Sequence, residues 1–297
     1  MGKLPPALSN MSKLHGIAPG LWLVGAAVAA LTGAGCPRPE GDPAKSQTRL
    51  ELARDFLLKN QLEAAEAEAN KAIAYLSTNE EAYNVRGLVH HLRALADQRL
   101  LEIEGCLTGI DAEALRTEVE KELGLAEADF RKAAALAPDF GEAFSNAGTA
   151  ALLLGDADRA KDDFEHALAA PARLVSPGLT RAHLGWAYFA KNDMVSAFKE
   201  LRQAVQFQPG MCVATYRLGR VYFAREEWEK AAEQFQEVSD QTDCHVQEAA
   251  LYLMKARLEQ GLLDDARAAQ AQCLSQAPAS CVAAQCRTAS FSAGGAR

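Results

Sequence analysis

The chain has 297 residues, of which 49% are hydrophobic and 24% charged, and its formal net charge is −8. This hydrophobic fraction is enough to build a buried core, so an intrinsically disordered chain is excluded. The negative charge disfavours binding to nucleic-acid phosphates, and we expect no nucleic-acid partner. Abundant Ala, Leu, Glu, Gln and Arg favour helix over strand, so the composition predicts an all-α fold.

The amino terminus has the pattern of an export signal. Lys3 and Lys13 precede an uncharged apolar stretch and a run of small residues that ends at Cys36. This order is typical of a signal peptide, which we place at 1–35. The segment LTGAGC, residues 31–36, resembles the lipobox of bacterial lipoproteins, and the resemblance implies that Cys36 carries a lipid. An uncleaved anchor helix and secretion without a lipid are the alternatives.

Residues 36–45 are rich in proline and polar side chains, which predicts a flexible tether between the lipid and the folded part. Pro37 follows the cysteine at the position where an inner-membrane retention signal would place Asp. We therefore expect the protein to be anchored in the outer membrane, with its folded part facing the periplasm.

From residue 46 onward the sequence repeats with a period of about 34 residues. The repeated positions hold a Leu, a small residue, an aromatic residue, two alanines that flank a large apolar residue, and a proline. In the clearest unit, 178–211, these residues are Leu184, Gly185, Tyr188, Ala197, Leu201, Ala204 and Pro209. The pattern resembles the tetratricopeptide repeat (TPR), and the resemblance implies two antiparallel helices in each unit.

Six units can be placed in this register, and residues 281–297 follow as a capping helix and tail. Their predicted bounds are 46–79, 80–140, 141–177, 178–211, 212–246 and 247–280. The second unit is longer than the others, and we expect two extended helices joined near 104–111, where Gly105 and Gly109 would break the helix. The sequence thus predicts a right-handed superhelical array of about six TPR helix-turn-helix units.

In a TPR array the first helix of each unit lines a concave face, and the residues at those positions here are mostly apolar. An apolar trough with few charges suits an amphipathic helix or an extended apolar peptide from a partner. The alternative is that some of these residues pack between neighbouring first helices. The predicted groove residues are Leu50, Leu57, Leu88, Leu92, Leu152, Leu179, Trp186, Phe189, Tyr216, Arg220, Phe223, Leu251 and Leu258.

Six cysteines follow Cys36, and in an exported protein an even number suggests disulfides. Cys212 begins the fifth unit and Cys244 lies just before the sixth, so both should lie near the same end of adjacent helices. We predict that these two form a bridge. Cys273 could be bonded to Cys286 or to Cys281, whereas Cys106 has no evident partner. Zinc binding is the weaker alternative, because the chain contains no C-x-x-C motif.

No catalytic or nucleotide-binding motif is found in the chain. His90 and His91 point to different sides of one predicted helix, which favours packing or surface roles for both. We therefore expect a protein that is not an enzyme and that has no cofactor and no metal.

A lipobox followed by six TPR units resembles the outer-membrane pilotins of type IV pili, the Tgl and PilF group. The segment 212–261, with its two cysteines, is most similar to the Tgl branch. The resemblance implies a partner, the secretin subunits of the pilus machine, and a role in their outer-membrane localisation and assembly for pilus-dependent motility. The alternative is a periplasmic TPR adaptor lipoprotein that serves another envelope machine.

Overall fold

A computed structural model of the chain describes residues 41–104, 112–289 and 291. The predicted signal peptide, the predicted lipidation site Cys36, the predicted hairpin tip near 104–111 with Cys106, and the end of the tail lie outside the described residues, except for Glu104 at the end of a helix. Within the described part the structure is all-helical, with thirteen α-helices, one short 3₁₀ helix at Pro171–Arg173 and no strand, which confirms the predicted fold class. None of these helices combines the length and the apolar run that a membrane crossing requires.

The helices form six consecutive pairs followed by a single short helix. Their bounds are α1 Pro43–Leu58, α2 Leu62–Tyr75, α3 Glu80–Glu104, α4 Ala112–Leu136, α5 Gly141–Leu153, α6 Ala157–Ala169, α7 Pro177–Ala190, α8 Met194–Phe207, α9 Cys212–Ala224, α10 Trp228–Asp240, α11 Gln247–Glu259, α12 Leu263–Gln276 and α13 Cys281–Arg287. Both helices of the second pair, α3 and α4, are 25 residues long, whereas the helices of the other pairs have 13 to 16 residues.

Each helix packs against the next one along the chain, and the first helices of successive pairs also contact one another in series. The first helices, α1, α3, α5, α7, α9 and α11, therefore form a continuous layer. The capping helix α13 extends this layer by packing on α11, and it also contacts α3 of the second pair. Because α13 at the carboxyl-terminal end contacts α3 across the array, the layer curves inward and its open side is concave.

Small residues allow the two helices of a pair to approach closely. A Cβ atom added to Gly219 would lie 2.7 Å from Cε1 of Phe235, and one added to Gly148 would lie 2.8 Å from the same atom of Phe164. In the first pair Ala53 and Ala69 occupy the corresponding positions, and both are fully buried. A large side chain from the second helix is thus accommodated by a glycine in the first, which explains the repeated sequence pattern.

The turn within a pair contains one residue with positive φ wherever the structure describes it. These residues are Asn60, Gly155, Asn192, Glu226 and Gly261.

Helix α1 begins at Pro43, inside the segment that was predicted to be the tether. The Asp42 side chain accepts a 3.0 Å hydrogen bond from the Lys45 N–H, and proline suits the first helical position because it has no N–H that needs a partner. The predicted tether at 36–45 is therefore too long at its carboxyl end.

Candidate protein-binding groove

The predicted groove residues all lie on the first-helix layer, but they differ in exposure. Leu50 and Leu251 are only 1% and 2% exposed, so they belong to the core and are unavailable to a partner. For these two residues the groove prediction is wrong, because neighbouring helices cover them. Leu92 and Leu179 are exposed. The other predicted residues are partly buried: Leu57, Leu88, Leu152, Trp186, Phe189, Tyr216, Arg220, Phe223 and Leu258.

Five aromatic rings come together on α7, α9 and α11, and we call them the aromatic cluster: Trp186, Phe189, Tyr216, Phe223 and Tyr252. The rings of Trp186 and Phe189 are stacked, with centroids 4.5 Å apart and planes inclined by 6°. Phe223 meets Tyr252 edge-on at 5.3 Å. All five rings are partly buried, so each keeps some surface for a partner. Rigid aromatic surfaces of this kind are common anchors in protein interfaces.

Sequence analysis did not predict Tyr252 as a groove residue. It lies one position beyond the one that Tyr216 occupies in the preceding unit, so the repeat pattern alone does not select it. The structure shows that both rings pack against the buried Phe235, at centroid distances of 6.0 Å for Tyr216 and 5.7 Å for Tyr252. The shared contact brings α9 and α11 together at the centre of the aromatic cluster.

Two cations lie among these rings. The Arg220 guanidinium is 3.9 Å from the centroid of the Tyr252 ring and within 6 Å of the rings of Trp186, Phe189 and Tyr216. Its Nη1 donates a 2.9 Å hydrogen bond to the Tyr216 hydroxyl. The Lys255 ammonium is 4.8 Å from the Tyr252 centroid. Partial burial, together with the charge of Arg220, lowers the pKa of Lys255 below its usual value.

A partly buried pair of polar side chains, Arg217 and His183, supports the aromatic cluster from below. Arg217 packs over Trp186 at 5.4 Å and donates a 3.1 Å hydrogen bond to the carbonyl of Ala182. Burial lowers the pKa of Arg217 to about 10 and that of His183 to about 3. The Nδ1 atom of His183 lies 3.2 Å from Arg217, and its ring stacks on Phe164. A neutral imidazole is therefore held in place beneath the aromatic cluster.

Charged side chains at the amino-terminal end of the groove are paired within the chain. Arg54 on α1 pairs with Glu81 on α3, and Arg173 bridges Glu80 and Glu81 at 3.2 Å each. Glu142 accepts a 2.9 Å hydrogen bond from the Val175 N–H. These groups are satisfied locally, so the charge at this end of the groove is largely neutralised.

Disulfides lock the carboxyl-terminal units. The Cys212–Cys244 bridge joins the start of α9 to the segment before α11, with Cα atoms 5.8 Å apart, as the helix positions predicted. Cys273 is bonded to Cys286, so the alternative pairing of Cys273 with Cys281 is wrong. Cys281 is disulfide-bonded as well. The described residues contain no cluster of His, Cys, Asp and Glu that could hold a metal ion.

The two histidines considered in the sequence pack between α3 and α4. Nδ1 of the buried His90 lies 2.7 Å from Oε2 of Glu122, and the His91 ring meets Phe130 edge-on at 6.5 Å. Burial lowers the pKa of His91. Both contacts join the long helices of the second pair, as expected for packing roles.

A cavity of about 1090 Å³ lies between helices of the second and third pairs and the carboxyl-terminal end of the array. Leu95 on α3 and Leu153 on α5 line one side of it. The other side is formed by the segment before α11 and by α13, with His245, Glu248 and Val282 among the lining residues.

No protein-family model matches the chain, and no curated protein matches its sequence. Solved structures do resemble it. PilW, a widely conserved type IV pilus biogenesis factor, has a TM-score of 0.65 at 19% identity and covers 82% of this chain and 98% of its own. Pseudomonas aeruginosa PilF has a TM-score of 0.61 at 13% identity and covers 82% of this chain and 97% of its own. YrrB, a TPR protein with an unusual peptide-binding site, has a TM-score of 0.48 at 19% identity and covers 74% of this chain and 98% of its own. At these identities the likeness to PilW and PilF shows the fold, a TPR-type superhelix.

Proposed function

We propose that this chain is a pilotin: a lipoprotein of the outer membrane that binds secretin subunits of a type IV pilus machine and promotes their assembly into the multimeric ring. The observation that carries the proposal is the likeness of the six-pair array to PilW and PilF over nearly their whole lengths. The export signal and the lipobox-like segment ending at Cys36 support the proposed location.

The groove supports the part of the proposal that concerns binding. A secretin subunit must travel through an aqueous space before it reaches the membrane, and an exposed apolar segment on it would favour aggregation. An apolar groove can cover such a segment during transit. The lipid on Cys36 would keep the complex at the membrane, because each buried methylene of an acyl chain contributes about 0.8 kcal/mol and more than one chain gives stable anchoring.

The test is the state of the secretin in cells that lack the chain. Heat- and detergent-resistant secretin multimers are read on a gel of the membrane fraction, with and without a plasmid copy of the gene. We expect only monomers without the chain and multimers when the plasmid restores it. Unchanged multimers would contradict the pilotin proposal and favour the adaptor of another envelope machine.

A further inference from the structure

Arg220 and Lys255 have no acidic partner, unlike Arg54 and Arg173 at the amino-terminal end of the groove. Neither lies within ion-pair distance of a carboxylate in the described part of the chain. Arg220 has five N–H donors, and the hydrogen bond to Tyr216 uses one of them. The Lys255 ammonium makes no hydrogen bond with the described residues. Two positive charges therefore lie close together in a half-buried apolar setting without compensation.

The surroundings of these cations restrict what can neutralise them. Aromatic rings attract a cation through their faces, but this attraction leaves the N–H donors unsatisfied. A carboxylate that accepts hydrogen bonds from both Arg220 and Lys255 would satisfy some of these donors and offset part of the combined positive charge. Because the rings of Trp186, Phe189 and Tyr252 lie within 6 Å of the Arg220 guanidinium, residues on either side of that carboxylate would lie against apolar surface.

We infer that the aromatic cluster with Arg220 and Lys255 is a docking site for a partner segment that carries an acidic side chain next to apolar or aromatic residues. The inference deepens the proposed function, since it specifies the segment that a bound secretin subunit would present. Charge complementarity selects the occupant: a purely apolar segment would leave both cations buried and unpaired, and a basic segment would be repelled.

The chain contains a matched control for the guanidinium group. Arg202 on α8 lies over the ring of Phe198 at 6.0 Å and is exposed. The same contact between a guanidinium and an aromatic ring therefore occurs on α8, which is the second helix of its pair and lies outside the first-helix layer. Arg202→Gln removes the same charge as Arg220→Gln, so it corrects for changes in net charge and in general attraction to acidic peptides.

The experiment uses a random 12-residue peptide library displayed on phage, with the purified mature chain as bait. We expect enriched peptides to carry Asp or Glu flanked by apolar or aromatic residues. An enriched peptide and its amide version, with Asp→Asn or Glu→Gln, are then titrated against the wild-type chain, Arg220→Gln, Lys255→Gln and Arg202→Gln. Circular dichroism and melting temperature establish that each variant is folded.

The expected result is a loss of affinity of about tenfold or more in Arg220→Gln and in Lys255→Gln, with no change in Arg202→Gln. The amide peptide should bind weakly to the wild type and be insensitive to both substitutions. Enrichment of acid-free peptides, no enrichment, or equal binding to all variants would overturn the inference. A homodimer that the Arg220→Gln substitution dissociates would also overturn the inference, because a second copy of the chain would then occupy the docking site.

The peptide experiment tests the docking site independently of the proposed pilotin function, because the library contains no secretin. Acid-dependent peptides combined with normal secretin multimers in the deletion strain would support the docking site and refute the pilotin role. If the deletion strain lacks secretin multimers but the enriched peptides contain no acidic residue, the pilotin role is supported and the docking site is refuted.

Discussion

Replacement of Gly219 by alanine tests whether the two helices of a pair are stable because a glycine lets them approach closely. The added Cβ would lie 2.7 Å from Cε1 and 2.9 Å from Cδ1 of Phe235, whereas ordinary carbon contacts are about 3.5 to 4.0 Å. The ring is fully buried between Tyr216 and Tyr252, so it has no room to shift. The helices must therefore move apart, which we expect to cost about 3 kcal/mol, the upper end for overpacked cores.

Gly124 on α4 provides the control. It is an exposed helical glycine, and a Cβ added there meets no atom within 4 Å. Alanine improves helix propensity by about 1 kcal/mol at either position, so the difference between the two variants isolates the steric cost. For a folded part of this size the difference corresponds to about 6 to 12 °C in melting temperature.

Thermal and urea unfolding of the mature chain, followed by circular dichroism, give the two values. We expect Gly219→Ala to melt below the wild type and Gly124→Ala at or above it. A Gly219→Ala variant that is as stable as Gly124→Ala would refute the reasoning, because the helices would then tolerate a wider separation.

Three further predictions concern the disulfides, pH and the anchor. Replacing both Cys212 and Cys244 by serine should lower the free energy of unfolding by about 3 to 4 kcal/mol, since the bridge closes a loop of 32 residues, and reductant should then have a smaller effect in urea titrations than on the wild type. His183 is neutral when folded, with a pKa of about 3, so the unfolded chain binds the extra proton below about pH 6.5 and stability falls as the pH drops towards 3. His183→Asn should reduce this slope by up to about 1.4 kcal/mol per pH unit in unfolding measured between pH 6 and 4, and parallel curves for both proteins would contradict the assignment. Cys36→Ser should move the folded chain from the membrane to the soluble fraction, and continued pelleting with membranes would argue for an uncleaved anchor helix.

The sequence predicts the repeat architecture well because the constraint that produces it is local. Helix pairs require small residues where backbones approach, and these residues recur at a fixed spacing. The helices α3, α5, α9 and α11 accordingly begin at the first residues of the predicted units: Glu80, Gly141, Cys212 and Gln247. The start of α1 was missed because the cap formed by Asp42 precedes the repeat pattern.

The groove could be predicted only in part. Position within the repeat identifies the helix face, but the exposure of a residue depends on how much the neighbouring first helices cover it. Leu50 and Leu251 are covered, although their repeat positions are those of groove residues. In the same way, the pairing of Arg54 with Glu81 depends on the packing of α1 against α3. Only the structure shows that Arg220 and Lys255 lack such a partner.

We propose that secretin binds on the first-helix layer. Site-specific photocrosslinking in living cells tests this binding directly. A photoreactive phenylalanine analogue is placed at Leu179, an exposed residue of the predicted groove, or at Phe207, which is 71% exposed on α8. After irradiation, products are probed with an antibody against the secretin. We expect a secretin crosslink from position 179 and none from 207. A crosslink from 207 alone, or secretin absent from both products, would contradict the account.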